Sequence, residues 1–217
     1  MSWHRHRDGE RGYHHGNLKE ALIEAALDLI AKKGPAGFTF AEAARNAGVS
    51  PAAPYRHFRD RDELMASVAE RGFAQFESEL LAAWDDGRPN VPTAFERLGR
   101  AYLGFARREP ASYAAMFESG VSQDSNPNLR AASDRAFEVI RLASERLIAM
   151  MPPQATKPPA RMVALHIWSL SHGVASLFAR SDAGRQKLPM PPEELLEAGV
   201  LVYLRGLGFP LGEAPRG

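Results

Sequence analysis

The sequence has no cysteine, which excludes disulfide bonds and thiolate metal sites. It also lacks any run of the roughly 18 apolar residues that a membrane-spanning helix needs. Its first fifteen residues contain no apolar core of the kind found in signal peptides. The formal net charge is only +1, so the charge of the whole chain does not indicate a nucleic-acid partner. We therefore expect a cytoplasmic globular protein without a membrane segment, whose charge-dependent binding sites are local.

Apolar residues recur at helical spacing along most of the chain, and no segment has the alternation typical of a β-strand. The first helix is predicted to begin after Asn17 and to end at Gly34. Thr39, with Glu42 three residues later, is predicted to cap a second, short helix that stops at Gly48. These signals indicate an all-α protein.

Further start signals follow along the chain. Ser50 is predicted to cap a third helix over residues 51–58, and Asp60 a fourth that continues to about Trp84. After a break at 85–90, helical patterns cover residues 92–108, 110–119, 128–151, 160–179 and 192–206. We expect about nine helices in two parts, a three-helix N-terminal domain over 14–62 and a C-terminal helical bundle over 63–210.

The segment from Thr39 to Phe58 consists of two short capped helices joined by a glycine-containing turn. In helix-turn-helix proteins this arrangement places the second helix in the major groove of DNA. Four arginines and one aspartate lie between residues 45 and 61, so this segment is basic although the chain is nearly neutral. The residues predicted to contact base edges or phosphates are Thr39, Arg45, Ser50, Ala52, Ala53, Tyr55, Arg56, His57 and Arg61.

Capped helices and surface arginines also occur in three-helix domains that do not bind DNA. One alternative is therefore a helical protein-interaction module, which would have no salt-sensitive affinity for DNA. An enzyme is the other alternative, but H-E-x-x-H, G-x-S-x-G and phosphate-cradling glycine loops are absent. His166 and His172 lie about 240° apart around a helix and do not share a metal. We expect no catalysis, no cofactor and no metal site.

The run from Thr39 to Leu64 resembles the DNA-binding signature of the TetR family. The matching positions are Thr39, Phe40, Ala43, Ala44, Ala47, Gly48, Val49, Ser50, Tyr55, His57, Phe58, Arg61 and Leu64. The resemblance implies an all-helical repressor whose three N-terminal helices bind operator DNA. It further implies that the fourth helix links the two domains, and that the C-terminal domain dimerises and binds a small effector.

Two positions depart from the family pattern. Family members often carry glycine or threonine at the position of Ala53 and an aliphatic residue at that of Pro54. Pro54 would be the fourth residue of the third helix, where its ring crowds the carbonyl group of Ser50. We therefore expect Pro54 to alter the geometry and the base preference of the DNA-contacting helix.

A second, shorter resemblance lies in the C-terminal bundle. Residues 166–173 resemble the Trp-His-Gly segment of one C-terminal subclass of TetR regulators. The surrounding helix is apolar around most of its circumference and carries a strip of small residues, as is typical of a helix buried on two sides. We expect a two-fold homodimer through this helix and the last one. The predicted interface residues are Ser169, Gly173, Ser176, Leu196, Gly199, Val200 and Tyr203.

An effector pocket needs apolar walls and a few polar groups. The candidate ligand-binding residues are Tyr102, Phe105, Tyr113, Met116, Phe117, Phe137, Trp168 and His172. Aromatic residues at helical spacing are equally typical of an ordinary hydrophobic core. Because no charged cluster lies among them, we expect a neutral, apolar small-molecule effector whose binding releases the operator. The sequence does not distinguish repression from activation.

Overall fold

The computed structural model describes residues 18–179 and 190–209. Within these ranges the chain forms eight α-helices and three short 3-10 helices, and no β-strand. The α-helices are α1 (Leu18–Lys33), α2 (Phe40–Asn46), α3 (Arg61–Trp84), α4 (Val91–Arg108), α5 (Pro110–Phe117), α6 (Pro127–Ala149), α7 (Ala160–Ala179) and α8 (Pro192–Gly206). The predicted all-α class is confirmed. The predicted cap at Asn17 lies outside the described residues.

The first two helices begin and end where local chemistry predicts. α1 is followed by Gly34, whose φ of +75° is a left-handed conformation that favours glycine. α2 begins with a complete capping box, in which the Glu42 backbone N–H donates to Thr39 Oγ1 and the Thr39 backbone N–H donates to Glu42 Oε2. Gly48, with a φ of +72°, follows α2. The two helices pack against each other, and the buried residues of α1 include Leu22, Ala26 and Ile30.

The predicted helix over residues 51–58 is wrong in extent and in type. The segment forms a 3-10 helix of four residues, Ala53–Arg56. Pro54 explains the difference, because it has no N–H to donate to the Ser50 carbonyl. That carbonyl instead accepts from the Ala53 N–H at 3.0 Å, in the i→i+3 pattern of a 3-10 turn. Pro54 itself is buried, and its own carbonyl accepts from the N–H groups of His57 and Phe58.

α3 is the central helix of the fold and is about 36 Å long, since a residue adds about 1.5 Å. Asp60 caps its start by accepting from the Glu63 N–H at 2.9 Å. It ends at Trp84, where Asp85 adopts a left-handed backbone with a φ of +44°. α3 packs against α1, α4, α5 and α6 and so joins the N-terminal bundle to the rest of the chain.

The C-terminal helices follow the predicted patterns to within two residues at each end. α7 packs against α4 and α6, and α8 packs against α4 and α7, so these two helices form an outer layer on the body. The buried apolar side chains of both parts form one contiguous core. The predicted domain boundary at residue 62 lies in the first turn of α3, and the hydrophobic core continues across it.

Candidate nucleic-acid interface and ligand cavity

The 3-10 segment and the residues beside it present side chains to solvent. Tyr55 is 64% exposed, and Arg56 and His57 are exposed beside it. The other predicted contact residues with exposed positions are Thr39, Arg45, Ser50 and Ala52, whereas Ala53 is half-buried. Seven of the nine residues predicted to contact DNA therefore lie on the surface of the N-terminal bundle.

The position of this surface is fixed by its buried neighbours. Pro54 and Phe58 are buried on the inner side of the segment. The Tyr55 ring meets the Phe40 ring edge-on, with 5.0 Å between centroids, which is a favourable aromatic geometry. This contact orients the Tyr55 ring while leaving most of the side chain available to a partner.

The surface is also basic. Arg45 and Arg56 are exposed, and no ion pair involves either of them in the described residues. Arg59 is exposed but lies 3.1 Å from the Glu63 carboxylate. Both the backbone N–H and the side chain of Arg59 donate hydrogen bonds to that carboxylate. These bonds, the backbone one most strongly, lower the pKa of Glu63. Two unpaired guanidinium groups beside a protruding turn are suited to phosphate and base-edge contacts.

Arg61 is placed differently from its prediction as a DNA contact. Its guanidinium lies over the Phe38 ring at 4.8 Å from the centroid. It also donates to the carbonyl oxygens of Phe38 and Pro35. Since these contacts join the loop before α2 to the start of α3, Arg61 has a structural role, and we leave it out of the proposed DNA surface.

The hydroxyl of Thr39 is likewise engaged within the chain. It donates to Glu42 Oε2 at 3.1 Å and accepts from the Glu42 N–H. The Glu42 carboxylate also accepts from Lys33 Nζ at 2.7 Å. Lys33 first, and then the Thr39 groups, lower the pKa of Glu42 to about 2. A phosphate at this helix start would therefore meet a permanently charged carboxylate.

The eight predicted effector residues come together in the body as an aromatic cluster. The Trp168 ring contacts the rings of Tyr102, Phe117 and Phe137 at centroid distances of 5.6, 6.1 and 5.7 Å. Phe105 joins the cluster through Phe76, which contacts both Tyr102 and Phe105 at 5.0 Å. Met116 packs beside it against α3. The rings fill this region by contacting one another.

His172 is the polar centre of the aromatic cluster. Its Nδ1 lies 2.7 Å from the Tyr113 hydroxyl and 3.3 Å from that of Tyr102, and its Nε2 lies 3.5 Å from Ser176 Oγ. Burial lowers the pKa of His172, an effect that Glu118 partly opposes. Burial also raises the pKa of Tyr113 to about 12 and that of Tyr102 well above its usual value. All three side chains are therefore neutral near pH 7.

A separate cavity of about 230 Å³ lies between α4, α6, α7 and α8. Its apolar lining includes Phe95, Leu98, Leu103, Ile140, Leu147, Ile167, Leu196, Val200, Leu201 and Leu204. Gly99 allows α8 to approach α4, because a Cβ atom there would lie 3.2 Å from Leu196 Cδ2. The eight predicted effector residues are not among those that line this cavity.

Sequence reasoning missed the polar groups of this cavity. They are Ser171, Glu96, Arg100, Glu193 and Glu197. Ser171 is only 2% exposed and lies four residues after Ile167, on the buried side of α7. A serine at this position of an otherwise apolar stripe was the available signal. The charged residues gave none, because exposed glutamates and arginines are frequent on any helix.

The predicted dimer residues lie on two different faces. Ser169 and Gly173 are exposed on α7, whereas Ser176 and Gly199 are half-buried. Leu196 and Val200 line the cavity inside the chain, and their part in a dimer interface stays a prediction. α8 has two apolar faces, and these residues lie on the inner one. Tyr203 is half-buried and its hydroxyl lies 2.9 Å from His166 Nδ1.

The exposed apolar face of the outer layer consists of other residues. On α7, Leu165 and Leu177 are 48% and 59% exposed and lie in line with Ser169 and Gly173. On α8, Val202 is 73% exposed. We call these five residues the outer face. In the parts of the chain that the structure describes, no helix is both long enough and apolar enough to cross a membrane.

Comparison with known proteins identifies both parts of the chain. Residues 22–68 match the model of the bacterial regulatory proteins of the tetR family. Residues 95–203 match the tetracyclin repressor-like C-terminal domain. The more specific Trp-His-Gly subclass stays a prediction.

Solved structures share the same fold. A protein of unknown function from Rhodococcus sp. RHA1 is 29% identical, with a TM-score of 0.75, and the match covers 91% of this chain and 98% of that one. The TetR family transcriptional regulator PfmR from Thermus thermophilus is 20% identical, with a TM-score of 0.65, over 85% and 97% of the two chains. AibR, solved with isovaleryl coenzyme A and operator DNA, is 16% identical, with a TM-score of 0.65, over 85% and 97%. The chain belongs to the TetR family of DNA-binding transcription regulators.

Proposed function

We propose that this regulator is a cytoplasmic, ligand-responsive repressor that binds operator DNA as a homodimer and releases it when a small molecule enters the C-terminal body. The observation that carries the proposal is the outward display of Tyr55 and Arg56 on a basic turn whose other side is buried. Ser50, Ala52 and His57 extend this surface. Arg45 lies on the neighbouring helix and supplies a further positive charge.

Dimerisation would use the outer face of α7 and α8. Leucine side chains at positions 165 and 177 flank Ser169 and Gly173, so a second helix can approach closely between them. A two-fold axis there would present two copies of the DNA-binding turn. To read both half-sites, these turns must lie about 34–36 Å apart, the length of one turn of DNA. Any change in that spacing alters the affinity for the operator.

We further propose that α5 carries the ligand signal to the DNA-binding bundle. The proposed route is a chain of contacts from the ligand-binding body to the DNA-binding bundle. It begins at the hydrogen bond between Tyr113 on α5 and His172 on α7. Met116 on the same helix packs against Gly72 of α3. The neighbouring Arg71 lies 2.6 Å from Glu24 on α1. A ligand that moves α7 or α5 would shift α3 and α1, and by linkage its binding would weaken that of DNA.

AibR supports the ligand-dependent part of this proposal. That protein has been solved with a small molecule and operator DNA together. We carry over only the inference that a body of this fold holds a small molecule in a DNA-binding protein.

The test is selection of genomic DNA fragments with the purified protein, followed by affinity measurements over a range of salt concentrations. We expect a specific site whose affinity falls steeply with salt. Arg56→Ala should weaken binding by about 1–3 kcal/mol, whereas Arg130→Ala, an exposed arginine on α6, is the matched control and should not. Absence of any salt-sensitive site would favour the protein-interaction alternative.

A further inference from the structure

The cavity between α4, α6, α7 and α8 combines an apolar interior with a buried hydroxyl group that lacks a partner. Ser171 is 2% exposed and lines the cavity. Its hydroxyl has no hydrogen-bond partner within the described residues. Ser144, the buried serine of α6, instead donates to the Ile140 carbonyl at 2.8 Å. The Ser171 hydroxyl is therefore available to donate to, or accept from, a molecule bound in the cavity.

The charged groups at this cavity belong to two separate sets of ion pairs. Arg100 Nη2 lies 2.7 Å from Glu96 Oε1 and 2.8 Å from Glu197 Oε1. The charges of Glu197 and then Glu96 raise the pKa of Arg100. Glu193 also lines the cavity, and its carboxylate lies 3.2 Å from Arg107. The lining therefore holds three carboxylates and a single guanidinium, which two of those carboxylates already share.

This arrangement discriminates between classes of ligand by charge. An incoming carboxylate or phosphate would find no free cation in the lining and would lie close to three negative charges, which disfavours its binding. A cation would have to separate an existing pair to gain a partner of its own. A neutral molecule disturbs none of these ion pairs and still buries apolar surface against the leucine, isoleucine and phenylalanine side chains.

We propose that the cavity binds a neutral molecule with an apolar body and one hydrogen-bonding group, of the medium-chain alcohol class, whose oxygen bonds to Ser171. The volume of about 230 Å³ corresponds to about eight waters of liquid, so the ligand has on the order of ten heavy atoms. The inference rests on the proposed function, because it names the class of effector which that function requires. It excludes carboxylates and acyl coenzyme A thioesters.

The test compares three probes of equal chain length near neutral pH: 1-octanol, octanoate and octylammonium. Binding is measured by calorimetry on the full chain in the absence of DNA. We expect 1-octanol to bind, with octanoate weaker by at least about tenfold because of the acidic lining. In Glu197→Gln, which frees Arg100 from one of its partners, the difference between the two probes should shrink. Equal or tighter binding of octanoate or octylammonium would overturn the proposal.

Two serine variants provide a matched pair. Ser171→Ala should weaken the binding of 1-octanol by about two- to tenfold, the value of one neutral hydrogen bond. Ser133→Ala, at a half-buried position of α6 outside the cavity lining, should leave that binding unchanged. If none of the probes binds a protein that still binds its operator, the ligand inference fails and the regulator function stands. If 1-octanol binds but no operator exists, the proposed function fails and the cavity assignment stands.

Discussion

The Tyr113 hydroxyl lies 2.7 Å from Nδ1 of His172 and joins α5 to α7 through a partly buried hydrogen bond. The network around this pair is satisfied by one tautomer of the neutral ring. Nδ1 then accepts from Tyr113, while the proton on Nε2 faces Ser176 Oγ at 3.5 Å. Protonation of Nδ1 would remove its acceptor and leave a charge among aromatic rings.

This relationship predicts a loss of stability in mildly acidic solution. The folded state lowers the pKa of His172, chiefly through burial. The unfolded chain binds a proton at this residue near pH 6.5, so the stability is full above that pH and declines as the pH falls below it. We expect the free energy of unfolding, measured in urea between about pH 7.5 and 5.5, to fall with pH.

The variants His172→Gln and His57→Gln separate this effect from other titrations. His172→Gln should flatten the pH dependence in that window. His57 is exposed, and His57→Gln should keep the slope of the unaltered protein. The carboxyl groups of Glu42, Glu63 and Glu138 have lowered pKa values, so their contributions are lost only at more acidic pH. Parallel slopes in both variants would contradict the prediction.

A charge on the outer face should prevent dimerisation. Leu177 is 59% exposed on α7, and Leu177→Glu would bury an unpaired carboxylate in the proposed interface. We expect a shift to monomer in sedimentation equilibrium at micromolar concentration, together with loss of operator binding. Leu142→Glu is the control, since Leu142 is 45% exposed on α6. A dimer that survives Leu177→Glu but not Leu142→Glu would place the interface elsewhere.

Gly72→Ala should disturb the contact between α3 and α5. A Cβ atom at this position would lie 2.9 Å from Met116 Sδ and 3.4 Å from Ser112 Cβ, so α5 must give way. Overpacking costs about 1–3 kcal/mol, against about 1 kcal/mol gained by replacing a helical glycine. We expect a net loss on the order of 1 kcal/mol in urea unfolding. Operator affinity should also change in the ligand-free protein.

Gly199→Ala is the matched control for that variant. Gly199 also lies within a helix, but its added Cβ would be 3.9 Å from Leu170 Cδ2, an ordinary contact. We expect this variant to retain or to increase stability. An unchanged operator affinity in Gly72→Ala would remove α5 from the proposed route.

Arg61→Met should reduce stability without changing the salt dependence of DNA binding. The variant keeps apolar contact with Phe38 but loses the charge-assisted bonds to two carbonyl groups, at a cost of about 2 kcal/mol. If Arg61 contacts no phosphate, the slope of log affinity against log salt stays as it was. Arg56→Ala should lower that slope if Arg56 contacts a phosphate. A reduced slope in Arg61→Met would restore Arg61 as a DNA contact.

Pro54→Ala should alter base preference more than overall affinity. Alanine supplies the N–H that Pro54 lacks, so the Ser50 carbonyl can accept the i→i+4 bond of an α-helix. That change would rotate Tyr55 and Arg56 relative to the bundle. We expect repeated fragment selection with this variant to yield a different preferred site. The same site and the same affinity would mean that the 3-10 geometry has no part in recognition.

Rules that act within one turn of chain predicted most of the fold. Thr39 and Asp60 cap the helices assigned to them, and Gly34 and Gly48 follow the ends of α1 and α2. The helix predicted at 51–58 is a four-residue 3-10 helix instead, because Pro54 lacks the N–H that an α-helix needs at its position. A local rule was known there, and it decided the geometry.

The site in the body could be predicted only in part. The residue types showed which side chains are large and apolar, and the aromatic cluster around Trp168 did assemble. A cavity, however, is the space left after all helices have packed, and its place depends on contacts between distant residues such as Gly99 and Leu196. The sequence pattern also could not tell which apolar face of α8 turns inward.

α8 has the cavity on one side and the exposed outer face on the other, so only the width of one helix separates them. Leu196 and Leu204 border the cavity on one side, while Ala198 and Val202 face outward on the other. A molecule bound in the cavity would contact the inner face of α8, and a second subunit would contact the outer face of the same helix. If the subunits pair through this face as proposed, cavity occupancy and subunit pairing are thermodynamically linked, so dilution that separates the subunits should change the affinity for the small molecule as well.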